Sequence, residues 1–219
     1  MAGDRRRLAA IVVADVAGYS RLMGQDESGT LAALKAVLRE VVDPKLAEHS
    51  GRLVKTMGDG LLLEFSSAVN AVRCSVGIQQ EMAKRNADVP PERLLQFRIG
   101  INLGDIIIEG DDIFGDGVNV AARLQTLAER GSIYVSKSVH DQVQGKLDVA
   151  FDALGAQHVK NIAHPVEVYR VRVDGSSVNP PEVRRIAWGP RARWLAAGVL
   201  TLGVISVAVW ILPSAFRPS

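Results

Sequence analysis

The sequence predicts an α+β sandwich in which helices cover one face of a largely antiparallel sheet. Two observations predict it: helix and strand patterns alternate along the chain, and they do so around a hairpin at residues 51–65. The hairpin is indicated by strand-like runs on both sides of Gly58-Asp59-Gly60, whose glycines allow the positive φ of a tight turn. A chain of 219 residues is long enough for one domain of ordinary size plus an appendage.

Hydrophobic periodicity places the individual elements. The predicted strands are apolar or alternating runs, at residues 8–15, within the hairpin at 51–65, and at 96–101, 105–108, 132–135, 149–151 and 166–173. The predicted helices have apolar residues at helical spacing, at 25–50, 68–85, 117–128 and 138–144. The single cysteine, Cys74, lies in the second of these helices, so we expect a buried thiol in a reducing compartment.

The segment Asp112–Arg123 places an acid, an amide and a guanidinium on one short strand–helix unit. Asn119 and Arg123 are four residues apart, so a helix puts them on the same face. A polar pair on an otherwise apolar helix suits an anion. The alternative is structural, with Arg123 satisfying a neighbouring loop and Asn119 serving as a cap.

Two further acids end strand-like runs. Asp15 ends a buried strand and precedes the small residues Val16-Ala-Gly18, whose backbone N–H groups would be able to approach phosphate oxygens. Asp59 lies at the hairpin tip, where by itself it is more simply explained as a turn former. If the two acids are neighbours on adjacent strands, their carboxylates form a hard-oxygen site for Mg²⁺ or Mn²⁺.

These residues belong to three motifs: Asp15-Val-Ala-Gly-Tyr-Ser, Lys55-Thr-Met-Gly-Asp59, and Asp112-Ile-Phe-Gly followed by Val118-Asn-Val-Ala-Ala-Arg123. In this order, and with every polar position filled, they resemble the motifs of class III adenylyl cyclase catalytic domains. The similarity covers residues 8–173 and is greatest to bacterial cyclases joined to a membrane segment. It implies a ferredoxin-like β-α-β-β-α-β core with extensions, and a catalytic domain at residues 1–173.

The resemblance also implies residue roles at the metal site. The acids that match Asp15 and Asp59 hold two metal ions per active site, Mg²⁺ or Mn²⁺, and the main-chain carbonyl that matches Val16 assists. One ion activates the ribose 3′-hydroxyl, and the other binds the triphosphate and the leaving pyrophosphate.

The remaining matches imply contacts with ATP. Lys55 and Asp112 match the residues that recognise adenine, and Asn119 and Arg123 match those that orient the ribose and stabilise charge on the α-phosphate. Asp111 is an alternative to Asp112, but Asp112 directly precedes Ile-Phe-Gly as the motif requires. The arm before it is shorter than is common in the family. A further phosphate contact from Lys160 is less well supported, because the sequence around it matches the family poorly.

The family's active sites lie between two subunits, so the resemblance implies a homodimer. One subunit supplies the two metal acids, and the other supplies the base-recognising residues and the Asn–Arg pair. This chain carries both sets. A net charge of +2, without a basic stripe, does not favour nucleic acid as a partner.

A membrane segment is predicted after a linker at residues 174–193. The nineteen uncharged residues 194–212 would span about 28 Å as a helix, against a hydrocarbon core of about 30 Å. A buried core helix is the alternative, but it explains neither the missing polar face nor the flanking arginines. Those arginines are Arg184, Arg185, Arg191 and Arg193 before the segment and only Arg217 in the tail at 213–219. The bias predicts a single-pass inner-membrane protein with a cytoplasmic catalytic domain, and the start of the chain gives no sign of a signal peptide.

The sequence therefore predicts an adenylate cyclase of intracellular signal transduction. The alternatives are a catalytically silent nucleotide-binding dimerisation module and, less favoured by Lys55 and Asp112, a guanylate cyclase.

Overall fold

The computed structural model describes residues 5–158, 162 and 164–173. The described strands are β1 (Arg5–Val16), β2 (Gly51–Met57), β3 (Gly60–Phe65), β4 (Phe97–Glu109), β5 (Asp112–Phe114), β6 (Ile133–Ser136), β7 (Phe151–Gln157) and β8 (Val166–Val171). The described α-helices are α1 (Tyr19–Gln25), α2 (Glu27–Val37), α3 (Asp43–Glu48), α4 (Ala68–Arg85), α5 (Asp116–Leu127) and α6 (Lys137–Val143). A π-helical turn (Leu38–Val42) joins α2 to α3, and a 3₁₀ turn (Pro91–Arg93) precedes β4.

All of these strands belong to one sheet, in the order β2-β3-β1-β4-β6-β8-β7, with β5 paired to β4. The β4–β6 pairing is parallel and the others are antiparallel. Helices α1–α3 connect β1 to β2, and α4 connects β3 to β4. The first half of the domain therefore has the expected β-α-β-β-α-β order, and the predicted hairpin at 51–65 is confirmed with Gly58 at φ 66°.

The predicted placement of all helices on one face of the sheet is wrong. The larger core lies between one face and helices α1–α4 and α6, and it includes the buried side chains of Val12, Phe65 and Phe97. Helix α5 packs on the opposite face, where Ile11, Leu62 and neighbouring side chains form a second core. The central strand β1 is buried on both faces from Ala9 to Ala14, so it can support both layers.

Glycines allow α5 to approach the sheet closely. A Cβ on Gly100 of β4 would lie 2.2 Å from the backbone nitrogen of Gln125 and 2.3 Å from the carbonyl oxygen of Ala121. A Cβ on Gly104 would lie 3.2 Å from the Cα of Gly117. The prediction of two strands at residues 96–101 and 105–108 is wrong, because both ranges belong to the single strand β4. Gly104 lies inside this strand, where the missing side chain permits close contact with α5.

The predicted helix at 25–50 is confirmed from residue 27 to residue 48, with a π-helical turn inside it. Asp26 has an extended backbone and caps α2, since its Oδ1 accepts a hydrogen bond from the Gly29 amide at 2.9 Å. Pro44 has no amide hydrogen, so the regular α-helical pattern changes to a π turn just before it. The strand predicted at 149–151 is misplaced, since β7 begins at Phe151 and extends to Gln157.

Some predictions lie outside the described residues. They concern Lys160, the linker at 174–193 and the membrane segment at 194–212. Within the described residues, none of the helices has both the length and the apolar character needed to cross a membrane. The membrane segment and the domain boundaries remain predictions.

Candidate active site

Lys55 and Asp112 form an ion pair on the face of the sheet that carries α5. The Lys55 Nζ donates to Asp112 Oδ2 at 2.6 Å, and the Ile113 amide donates to Asp112 Oδ1 at 2.8 Å. This ammonium also lies 5.3 Å from the centre of the Phe114 ring. The hydrogen bond from Lys55 is the main reason that the pKa of Asp112 is lowered, so the carboxylate is ionised at neutral pH.

A β-bulge gives Lys55 its direction. Leu53 pairs with Leu63, but Lys55 pairs with Leu62, so Val54 is an extra residue in β2. Leu62 belongs to the second core, and Lys55 therefore projects on the same face. Asp112 is the first residue of β5, in the β4–β5 hairpin, and its carboxylate meets the Lys55 ammonium on that face.

Asp15 lies at the end of β1, opposite Arg98 of β4. The guanidinium of Arg98 donates through Nε to Asp15 Oδ1 at 2.9 Å and through Nη2 to Oδ2 at 2.6 Å. Both side chains are partly exposed, at 23% for Asp15 and 31% for Arg98. The hydrogen bond to Asp15 raises the pKa of Arg98 further above its usual value, so this guanidinium is a permanent positive charge beside the predicted metal acid.

Asp59 reaches the same strand end from the hairpin tip. Its Oδ2 accepts a hydrogen bond from the Val16 amide at 3.2 Å, and this places its carboxylate next to Asp15. The Ala17 amide donates to the Gln96 carbonyl oxygen at 2.8 Å. The amides of Val16 and Ala17 thus already have acceptors within the chain, which leaves the predicted approach of these two groups to phosphate without support.

Asn119 and Arg123 lie on α5, one turn apart, as the spacing predicts. Asn119 is exposed and Arg123 is half-buried. The helix begins after Gly115 (φ 126°), whose carbonyl oxygen accepts from the Asn119 amide at 3.3 Å. Because α5 packs directly over Gly100, both side chains are carried on the face that holds Lys55 and Asp15.

The predicted site residues therefore form two hydrogen-bonded groups and one helix. Lys55 joins Asp112, while Asp59, through Val16, lies next to Asp15. Within the described ranges, no cluster of three or more histidine, cysteine or acidic side chains is arranged to hold a metal ion. The predicted metal site has only two acids and a main-chain carbonyl. Cys74 is outside all of these groups: it is buried, as predicted, and burial raises the pKa of its thiol to about 12.

Sequence reasoning missed Arg98, because its relation to Asp15 depends on the register between β1 and β4. It also missed Arg52 and Glu64, although a charged residue in the run Leu61-Leu-Leu-Glu-Phe65 was a usable signal. Glu64 is 3% exposed and pairs with Arg7 and Arg52. A buried carboxylate of this kind requires charged partners.

The fold and these motifs define a nucleotide cyclase domain. Residues 4–172 match the family described as the adenylate and guanylate cyclase catalytic domain, and the chain belongs to this family. A crystal structure of an adenylate/guanylate cyclase/hydrolase from Silicibacter pomeroyi is 48% identical, with a TM-score of 0.74 over 78% of this chain and 100% of that one.

Two relatives of this chain have the name adenylate cyclase. A Rhizobium meliloti (strain 1021) protein, provisionally named adenylate cyclase 3, is 48% identical over 82% of this chain but only 30% of its own length. An adenylate cyclase of Streptomyces coelicolor is 30% identical over 64% of this chain and 35% of its own. This chain thus spans about a third of the length of these relatives. Two structures of lower identity share the fold: the adenylyl cyclase CyaB of P. aeruginosa (23%, TM-score 0.68) and the guanylyl cyclase Cya2 (22%, TM-score 0.67). The fold therefore does not distinguish an adenylyl cyclase from a guanylyl cyclase.

Proposed function

We propose that this chain is an adenylate cyclase that converts ATP to 3′,5′-cyclic AMP and pyrophosphate. The observation that carries the proposal is the Lys55–Asp112 pair, whose Nζ–Oδ2 distance is 2.6 Å. It sets a hydrogen-bond donor beside an acceptor, on the sheet face that also carries Asp15 and α5. Membership of the cyclase family and the adenylate cyclases among the named relatives support the same conclusion.

The pair matches adenine and opposes guanine. Adenine presents an acceptor at N1 and a donor at its 6-amino group, which suit the Lys55 ammonium and the Asp112 carboxylate. Guanine presents a donor at N1 and an acceptor at O6, so both contacts would be mismatched. Since a site lined with polar groups rejects a mismatched partner strongly, this arrangement favours ATP over GTP.

Asp15 and Asp59, with the main-chain carbonyl of Val16, are the groups that would hold Mg²⁺ or Mn²⁺. Their chemistry fits, because both acids offer hard oxygen donors and Asp59 accepts a hydrogen bond from the amide of Val16, the residue after Asp15. Two bound ions would neutralise charge on the triphosphate and favour ionisation of the ribose 3′-hydroxyl. Arg98 donates to both oxygens of Asp15, and each of these oxygens keeps a further lone pair with which it could bind a metal ion.

In the reaction, the ribose 3′-oxygen forms a bond to the α-phosphorus. The bond from that phosphorus to the oxygen that leads to the β-phosphate breaks, pyrophosphate leaves, and the hydroxyl proton passes to solvent. Asn119 orients the ribose in this proposal. Arg123 stabilises the negative charge that develops on the α-phosphate, where a fixed guanidinium is most effective.

The proposal includes a homodimer in which each site takes its metal acids from one subunit and its remaining residues from the other. It also includes a single membrane segment at 194–212 that places the domain on the cytoplasmic side of the inner membrane, where the product serves intracellular signalling. The charge and apolar patterns of the sequence support this placement.

A direct assay tests the proposal. Purified protein comprising residues 1–219 should, with Mn²⁺, form cyclic AMP from ATP and much less cyclic GMP from GTP. Equal rates with both nucleotides would refute the assignment of the base. Product from neither, with ATP still bound in a calorimetric titration, would identify a catalytically silent nucleotide-binding module.

A further inference from the structure

Arg52 joins a buried carboxylate to the hairpin that carries Asp112. Its Nε and Nη2 donate to Glu64 Oε2 at 3.2 and 2.7 Å, and its Nη1 donates to the carbonyl oxygen of Asp111 at 2.8 Å. The Glu64 side chain is only 2% exposed, so it is a fixed anchor. Arg52 therefore connects the interior of the sheet to the residue next to the predicted base-recognising acid.

The bulge at Val54 brings Arg52 and Lys55 to one face. In a regular strand, residues three apart project on opposite faces. Here Arg52 pairs with Glu64 and Lys55 pairs with Leu62, two residues of β3 that share a face. The two side chains thus contact adjacent residues of the same hairpin: Arg52 holds the carbonyl of Asp111, and Lys55 holds the carboxylate of Asp112.

The hairpin is short enough for one contact to control its position. Glu109 pairs with Asp112, so only Gly110 and Asp111 form the turn, with Gly110 at φ 61°. The Asp111 side chain is exposed, and its carbonyl oxygen is the group that Arg52 holds. A displacement of this turn would move Asp112 away from Lys55.

We propose that Arg52 is a positioning residue that sets the enzyme's preference for adenine. Anchored on Glu64, it holds the turn at Asp111 so that Asp112 stays in place beside Lys55. This inference rests on the proposed function and adds a residue that acts through Asp112. Arginine is required because its fork serves Glu64 and Asp111 at once, whereas a lysine has a single nitrogen.

Arg7 provides a matched control. It also pairs with Glu64, and its side chain is 46% exposed against 42% for Arg52. Replacing either arginine by alanine removes one positive charge and one partner of the same buried carboxylate. Of the two, Arg52 is the one that donates to Asp111. A comparison of the two variants therefore separates the effect on the hairpin from the effect on Glu64.

The experiment compares wild-type protein with Arg52→Ala, Arg52→Lys and Arg7→Ala. The first measurement is the ratio of kcat/KM for ATP to that for GTP. Arg52→Ala and Arg52→Lys should lower this ratio about tenfold, mainly through a higher KM for ATP, as expected for loss of a charge-assisted hydrogen bond. Arg7→Ala should change it less than about twofold. Thermal unfolding confirms that each variant is folded.

The second measurement is hydrogen exchange of the Ile113 amide, which donates to Asp112 Oδ1. Exchange should be faster in both Arg52 variants than in Arg7→Ala. Unchanged discrimination in a folded Arg52→Ala protein, or equal effects in Arg52→Ala and Arg7→Ala, would overturn the inference. If wild-type protein forms neither cyclic nucleotide, the proposed function fails, and the exchange comparison still decides whether Arg52 positions the hairpin.

Discussion

Asp15 and Arg98 face each other across β1 and β4, and the guanidinium of Arg98 donates to both oxygens of the Asp15 carboxylate, at 2.9 and 2.6 Å. The charge of the predicted metal acid is thus compensated within the chain. Asp59 differs, because its carboxylate accepts a hydrogen bond from the Val16 amide. Substituting Asp15 would disturb an ion pair as well as a metal ligand, so Asp59 is the cleaner position at which to test metal binding.

Asp59→Asn should lower turnover at least about a hundredfold, while stability stays within about 1 kcal/mol of wild type. Asparagine keeps an oxygen that can accept from the Val16 amide and suits the turn, but it lacks the negative charge that the proposed metal site needs. Initial rates measured with Mn²⁺ give the turnover, and urea unfolding gives the stability. Asp148→Asn, an exposed acid outside the site, is the control. Retention of most of the activity in Asp59→Asn would contradict the metal assignment.

Gly100→Ala tests whether close packing of α5 maintains the site. The new Cβ would lie 2.2 Å from a backbone nitrogen of α5, so the helix that carries Asn119 and Arg123 must shift. We expect a loss of about 1–3 kcal/mol in unfolding free energy and a large fall in kcat.

Gly24→Ala is the matched control for this prediction, since a Cβ there has no atom within 4 Å. Gly24 lies in α1, and alanine should be neutral or slightly stabilising in a helix. Urea unfolding and kcat are measured for both variants. Equal stability and activity in the two variants would mean that α5 does not depend on its approach to Gly100.

The Lys55–Asp112 pair should contribute to stability in a pH-dependent way. Because Lys55 lowers the pKa of Asp112 in the folded protein, the contribution is present above the unfolded pKa of about 3.9. It is lost as the pH falls through the lower folded value. The pair is partly exposed, so its contribution should be about 1 kcal/mol or less.

Urea unfolding of wild-type protein and Asp112→Asn measures this contribution. The two proteins should differ at pH 6, and the difference should shrink as the pH falls below the unfolded pKa of about 3.9. Asp111→Asn provides the control, because the Asp111 side chain is exposed and this variant keeps the ion pair between Lys55 and Asp112. A difference that persists unchanged at pH 3 would show that the effect of Asp112→Asn does not come from ionisation.

The sequence predicted those features that depend on local pattern. The hairpin around Gly58 follows from two strand-like runs and a glycine turn, and the position of Asn119 and Arg123 on one helix follows from their spacing. The resemblance assigned roles to both acids and to Lys55 and Asp112, and the structure provides the distances between them without testing those roles. Local pattern was sufficient where the partners were near in sequence or fixed by a motif.

Features that depend on long-range register were not predictable in the same way. Arg98 meets Asp15 only because β1 and β4 pair with that register. The bulge at Val54 places the side chains of Arg52 and Lys55 on the same face, where a regular strand would place them on opposite faces. The sequence of β2 gives no sign of this bulge. The position of α5 on the second face depends on small residues in β4, Gly100 and Gly104, which come close to the helix only in the folded chain.

The last prediction is that activity requires two chains. In the proposed arrangement Asp59 serves one site and Lys55, on the same hairpin, serves the other, so a twofold dimer forms two equivalent sites. Asp59→Ala and Arg123→Ala should each be inactive as homodimers. Mixed under conditions of subunit exchange, they form heterodimers with one intact site and one site that carries both substitutions. Part of the wild-type rate should therefore return, at most about half per heterodimer.

Cyclic AMP formation measures the recovery, and differently tagged chains recovered together demonstrate exchange. A mixture of Asp59→Ala with Asp15→Ala is the control, because both substitutions damage the same set of ligands and no heterodimer then contains an intact site. Absence of recovery in the first mixture, with exchange demonstrated, would mean that each chain forms its own site.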